Sequence, residues 1–168
     1  MIKFEHLIGI PFIHGKTDCY ELARCFYRDN WQIELPNFAR PNDWWNHGLN
    51  LYMENYNEAG FQLIIIPLTQ VRIGDAFLMA IRSEVANHCG MYIGGNRILH
   101  HPFGLLSTTT HFASRWRDGV VATVRHPAVP EIKPERVPLD IMTLLPAYKR
   151  RQLEEAMKNA DAATPSSP

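Results

Sequence analysis

The sequence predicts an α+β domain in which an amphipathic helix near the N-terminus precedes a group of strands. Three observations predict it. Apolar residues recur with the helical period from Cys19 to Phe26, a buried run and then strict alternation occupy residues 76–101, and the turn signals Gly74-Asp75 and Gly94-Gly95-Asn96 punctuate that second region. At 168 residues, 46% apolar and 20% charged, the chain has the core of one domain and neither a disordered nor a collagen-like composition. Seventeen basic residues balance seventeen acidic ones. No net field recruits nucleic acid or anionic lipid, so neither is expected as a partner.

The first helix is expected to start at Cys19, because Cys19, Leu22, Ala23 and Phe26 stand at i, i+3, i+4 and i+7. Asp18 is a good N-cap, and Glu21 follows it at capping-box spacing. Residues 34–48, rich in Pro, Asn and Trp, read as an irregular segment, and residues 49–59 as a second helix closed by Gly60. The apolar run 76–81 suits a buried strand. In residues 88–93, His88, Gly90 and Tyr92 share one face and Cys89, Met91 and Ile93 the other, before a hairpin leads into residues 97–101. Residues 119–125 supply a further strand. Pro127, Pro130, Pro134 and Pro138 then interrupt regular structure, residues 148–160 read as a charged helix, and the last eight residues as disordered.

The longest apolar run, residues 61–68, contains Gln62 and is far short of the ~20 residues that span a bilayer, so no membrane span is expected. Glu5 and His6 interrupt what would be the apolar part of a signal peptide and no small-residue cleavage site follows, so the N-terminus reads as mature and the chain as made in the cytoplasm. Cys19, Cys25 and Cys89 are an odd set without disulfide-scaffold spacing, and at least one thiol is free in the monomer.

Cys19 in the first turn of a capped helix is where unpaired N–H groups and the helix dipole stabilise a thiolate, though its place on the apolar face also fits a core cysteine. A nucleophilic thiolate needs a base and something to orient that base. His88 is the first candidate base. His100 and His101 end the next strand and point to opposite faces, so one of them can orient His88. Ladder geometry alone leaves His88 and position 100 or 101 apart, so a bulge or strong coiling near Gly90, Gly94 or Gly95 is required. Eight histidines raise the possibility of a metal site, but no C-x-x-C or H-E-x-x-H spacing occurs and no metal or cofactor is expected.

Taken in order, G-I-P-F-x-x-G-x-x-D-C-Y, then I-G-D before a buried strand, then H-C-G-M-Y-I-G-G-N-R-I-L-H, the chain resembles the NlpC-type family of papain-like cysteine peptidases. The resemblance covers about Gly9 to His126. It implies a nucleophile helix packed on an antiparallel sheet of roughly four to six strands. It further implies Cys19 as nucleophile, His88 as base and acid, and His100 as the orienting residue, with His101 in place of a small one. Residues 1–126 would form the peptidase domain, standing without a metalloprotease-like domain before it, and residues 127–168 a Pro-rich extension with a short helix and a disordered end. The implied substrate is a peptidoglycan stem peptide, cut between γ-D-glutamate and diaminopimelate.

The run ELPNFARPNDWWNHGLNLY is similar to the peptidase portion of tail assembly proteins of lambda-like phages. That likeness implies synthesis in a host cytoplasm, a place at the virion tail tip, action at the bacterial wall, and other tail-tip proteins as partners. The alternative it leaves is a structural tail component with a weak or inactive site, in which Trp44 and Trp45 dock a partner instead of packing on their own domain. The family often carries a tyrosine several residues before the nucleophile to hold the oxyanion. Here Phe12 stands in that region and cannot donate. Asp18, His14, Tyr92 and Trp44 are then the expected substrate or oxyanion contacts.

Overall fold

The computed structural model describes residues 2–132 and 146–162. Helix α1 spans Cys19–Trp31, with Asp18 at its N-cap accepting from the Glu21 N–H as the sequence predicts. The helix ends where Gln32 adopts a left-handed conformation, φ 58°. Its apolar stripe of Leu22, Ala23, Phe26 and Tyr27 is buried against the sheet, and full burial of one such side chain stabilises by roughly 1.5–3 kcal/mol.

The sheet has six antiparallel strands: β1 Gln62–Ile64, β2 Ala76–Met79, β3 His88–Gly94, β4 Arg97–His100, β5 Thr108–His111 and β6 Val120–Arg125. Their spatial order is β1-β6-β2-β3-β4-β5. Period-two alternation divides its residues between two cores. Ala76, Leu78, Cys89, Met91, Leu99, Ala122 and Val124 pack with α1, whereas Phe77, Met79, Ile98 and Phe112 form a second cluster with Trp116 beside it. The Gly74-Asp75 turn fixes the start of β2. Asp75 is buried and takes both Nε and Nη2 of Arg125 at 2.7 and 2.8 Å, while the Gly74 carbonyl accepts from Tyr27 Oη at 2.8 Å. Gly74 has φ +89°, and a Cβ there would meet Trp31 and Val129 at 2.8 Å, so glycine is required twice over.

Several elements differ from expectation. Helix α2 is only Leu51–Asn55, since the asparagine-rich continuation closes in turns ending at Gly60, φ +86°. The edge strands β1 and β5 were not expected: each is short and lacks alternation, so its pairing is set by the neighbouring strand. The four-residue helix α3, Ser114–Arg117, was also unanticipated.

The chain divides into two compact units, Met1–Ile132 and Lys133–Pro168. The first runs past His126 because Val129 packs on the core and Glu131 lies 3.6 Å from Arg72. In the second, helix α4 spans Ala147–Ala162 and continues into the first two residues of the expected disordered tail. The expectations for Pro134, Pro138 and residues 163–168 lie outside the described residues. Among the described residues no helix is long and apolar enough to cross a membrane.

Candidate active site

Six stretches of chain converge on one cleft of about 350 Å3: residues 12–14, the start of α1 with its cap, the segment 40–52, the β2–β3 loop with the start of β3, residues 101–105 after β4, and α3. Cys19, His88, His14, Asp18 and Trp44 line it, as do Tyr52, Arg40 and Trp116, which the sequence did not single out.

Asp18 sets the position of Cys19. Its carboxylate accepts from the Glu21 and Gly15 N–H groups at 2.9 and 2.8 Å and from Arg40 Nε at 2.7 Å, with both members of the ion pair buried. Burial works to raise this carboxyl, but the Glu21 N–H, Arg40 and the Gly15 N–H hold it below the usual carboxylate range. Three hydrogen bonds thus tie the Asp18 carboxylate to the fold and position the start of α1.

Around the Cys19 sulfur the second thiol and a phenol are arranged in a triangle. Tyr52 Oη is 3.1 Å from Cys19 Sγ and 3.3 Å from Cys89 Sγ, and Cys89 Sγ is 3.2 Å from the Cys19 carbonyl oxygen. Hydrogen bonding from Cys89, and then hydrogen bonding and charge from His88, outweigh burial and hold the Cys19 thiol well below its ordinary value. The same contact with Cys19, together with burial, pushes Cys89 well above its own. Cys19 is therefore the more acidic thiol of the pair; Cys89 Sγ donates to the Cys19 carbonyl, and the Tyr52 hydroxyl donates to Cys89 Sγ with Cys19 Sγ also within its reach. Burial and the two sulfurs push the Tyr52 hydroxyl well up, so it remains a phenol. Cys25 lies outside this group, 3.8 Å from Glu21 Oε1, and burial raises it.

His88 Nε2 lies 3.0 Å from His100 Nδ1, and His100 Nε2 lies 3.0 Å from Thr110 Oγ1. The register explains the first contact. Gly90 pairs with His100, so His88 and His100 are diagonal neighbours on one face, and the absent Gly90 side chain leaves room for the imidazoles to meet. A Cβ at Gly90 would sit 3.4 Å from His100 Cβ. The required irregularity is present between Tyr92 and Gly94. His100 is fully buried, and burial, followed by the charges of His88, His101 and Arg115, pushes its pKa down to about 3. It is neutral near pH 7 and offers one acceptor and one donor. Through these two nitrogens it bridges His88 Nε2 and Thr110 Oγ1, which leaves His88 Nδ1 outside the relay. Trp116 packs edge-on to His100 at 4.3 Å and tilted over His88 at 5.6 Å, fixing both rings.

The remaining expected contacts have other partners. His101 points away from His88, toward the Leu105 carbonyl at 3.1 Å, as strand parity requires. His14 Nε2 is 2.9 and 3.0 Å from the Arg40 and Pro41 carbonyl oxygens, so its donor is already used and it does not supply an oxyanion contact. Tyr92 does not line the cleft; its hydroxyl accepts from the Asn96 N–H and its ring meets Phe77. Trp44 is 3% exposed and packs on Trp45 and Tyr52, so it is a wall of its own domain instead of a docking surface. Phe12 packs against His101 and Phe103. Among the described residues no group of three or more His, Cys, Asp or Glu is arranged to hold a metal ion.

Residues 9–125 match the NlpC/P60 family. The chain is 39% identical over 123 residues to the tail tip assembly protein K of Escherichia phage lambda, covering 73% of this chain and 60% of that protein. It is 30% identical over 122 residues to the protein of the same name from Escherichia phage N15, covering 71% and 49%. The chain thus spans between half and three-fifths of the length of these relatives. In fold it is similar to a lipoprotein-like NLP/P60 family protein of Staphylococcus aureus, with TM-score 0.50, 22% identity, and coverage of 72% of this chain and 38% of the other. It is likewise similar to NlpC1 from Trichomonas vaginalis, with TM-score 0.51, 18% identity, and coverage of 73% and 41%.

Proposed function

The chain belongs to the NlpC/P60 family, and from that premise we propose that it is a cysteine endopeptidase whose nucleophile is Cys19 and whose base and acid is His88. One observation carries the reading: a thiol held low at a helix N-terminus shares a cleft with an imidazole whose far nitrogen is fixed by the neutral His100.

In this reading the Cys19 sulfur attacks a peptide carbonyl carbon, a C–S bond forms, and the oxygen takes the negative charge. The Cys19 N–H and the Tyr52 hydroxyl receive that oxyanion, the phenol already standing 3.1 Å from the attacking sulfur. Tyr52 thus takes the part for which Phe12 lacks a hydroxyl. The proton on His88 passes to the departing nitrogen, the C–N bond breaks, and the acyl group remains on Cys19 as a thioester. Water then attacks this carbonyl while His88 Nδ1 takes its proton. The C–S bond breaks, the acid leaves, and the thiolate–imidazolium pair is restored. His100 keeps Nδ1 of His88 directed at the reacting atoms throughout, and Thr110 does the same for His100.

The substrate we propose is the peptidoglycan stem peptide, cut between γ-D-glutamate and diaminopimelate, and the setting is a phage tail tip with other tail proteins as partners. The names of the two phage relatives support that setting. The test is mass spectrometry of peptides released from purified Gram-negative sacculi by this protein and by Cys19→Ser. Release of diaminopimelate fragments with a new free amine by the wild type alone supports the reading. Equal release by both, or none by folded wild type, contradicts it and favours the structural tail role.

A further inference from the structure

The cleft has two chemically different ends. Toward residues 101–105 and the segment 40–52 it is aromatic: Phe12, Phe103 and Trp45 form a continuous wall with centroid distances of 5.0 and 5.7 Å. On the side of His88 it is cationic, lined by Arg82 from the β2–β3 loop and Arg115 from α3.

Neither of these guanidiniums has a hydrogen bond or ion pair among the described residues; Arg115 lies only over the ring of Trp116, at 5.2 Å. Arg40, the third arginine of the cleft, is consumed by Asp18. Asp18 is also the one carboxylate among the residues lining the cleft, and its charge is met by Arg40. Glu84 and Asp118 lie near Arg82 and Arg115 in the chain, but neither lines the cleft or pairs with them. The cleft therefore presents two uncompensated positive charges and no free negative one. Arg82 also has φ 51°, a left-handed conformation usual for Gly or Asn and uncommon for a long side chain.

Their side of the cleft is defined by His88. Arg82 precedes it by six residues on the loop that enters β3, and Arg115 neighbours Trp116, whose ring covers His88 at 5.6 Å. The group next to His88 during reaction is the departing amine, so these arginines face the residue that leaves with that amine. Arginine is the side chain best suited to bind a carboxylate.

We propose that Arg82 and Arg115 form a carboxylate clamp that selects a leaving residue whose side chain ends in a free carboxylate. The inference rests on the peptidase reading above. It gives a reason for diaminopimelate over lysine at that position, since the diaminopimelate side chain ends in a second carboxylate and that of lysine does not.

The probes are three synthetic peptides, L-alanyl-γ-D-glutamyl-X, each amidated at the α-carboxyl of X, with X as diaminopimelate, diaminopimelate amidated also at its distal carboxyl, or lysine. The proteins are wild type, Arg115→Gln, Arg82→Gly, which suits the positive φ, and the double variant. Wild type is expected to cleave the free carboxylate peptide at least about tenfold better in kcat/KM than the other two, one charge-assisted contact being worth about a factor of ten or more. In the double variant that preference disappears, and the change lies in KM. Equal cleavage of all three peptides by wild type, or a preference that survives both substitutions, overturns the clamp. Calorimetric binding of the same intact peptides to Cys19→Ala protein separates the two readings. Carboxylate-dependent binding without turnover by wild type leaves the clamp standing and sinks the peptidase, and indifferent binding sinks the clamp whatever the turnover.

Discussion

Tyr52→Phe removes one oxygen from the centre of the site and little else. The phenyl ring keeps its packing against Trp44 and Tyr20, at 5.9 and 6.2 Å between centroids, so the fold is expected to lose no more than the roughly 0.5–1.5 kcal/mol of a neutral hydrogen bond, here the one to Cys89. The effect on Cys19 is larger. When the hydroxyl turns its one proton from Cys89 to the Cys19 thiolate, that hydrogen bond to a charged group contributes about 1.5–3 kcal/mol, which at 1.4 kcal/mol per decade corresponds to roughly 10- to 100-fold less thiolate at a given pH below the midpoint. Hydrolysis should fall further, by about 10²- to 10³-fold, because the same hydroxyl also serves the oxyanion. The assay is iodoacetamide alkylation of Cys19 across pH, followed by peptide mass spectrometry, beside kcat on a stem-peptide substrate. If alkylation keeps the wild-type profile and kcat falls less than about threefold, the Tyr52 hydroxyl neither stabilises the sulfur nor receives the oxyanion.

Three further outcomes are expected. His100→Ala should lower kcat by about 10- to 100-fold with KM little changed, and Thr110→Val by less, since it only loosens His100; an effect at Thr110 exceeding that at His100 would reverse the proposed relay. Asp18→Ala should cost about 3–5 kcal/mol in urea unfolding, because Arg40 is left buried without its partner, and a loss below about 1 kcal/mol would show that the pair is screened. His100 has a folded pKa depressed to about 3 by burial and by the charge of His88, against an ordinary value of 6.5. The unfolded chain binds a proton that the native state refuses between these values, so this contribution to stability is intact near neutrality and declines as pH falls through that window. His100→Asn should therefore lose less stability than wild type between about pH 7 and pH 5, and identical losses would mean that His100 protonates in the folded protein.

The local features of the site were legible because each depends on a few adjacent residues. The Asp18 cap and the start of α1 follow from residues 18–26, and the separation of His100 from His101 follows from strand parity. The meeting of His88 with His100 was legible only as a requirement for a bulge, which the chain supplies beside Gly94 while Gly90 clears the diagonal. What the sequence hid was brought together over long separations. Tyr52 is 33 positions from Cys19, in a helix of five residues, and nothing in its surroundings marks it as different from a core tyrosine. Thr110 and Trp116 sit on an edge strand and a single helical turn that periodicity does not reveal. Tyr92 misled for the converse reason: it shares the face of His88, but four residues along the strand carry its side chain out of the cleft to Phe77.

The central claim is that Cys19 carries the acyl group. Acid quenching of wild type during turnover of a γ-D-glutamyl stem peptide, followed by intact-mass and fragment analysis, tests it most directly. The account predicts a thioester adduct of the acyl half of the substrate on Cys19, absent from Cys19→Ala and unaltered by Cys25→Ser. Hydrolysis that persists in Cys19→Ala, or an adduct located on Cys25 or Cys89, would contradict it.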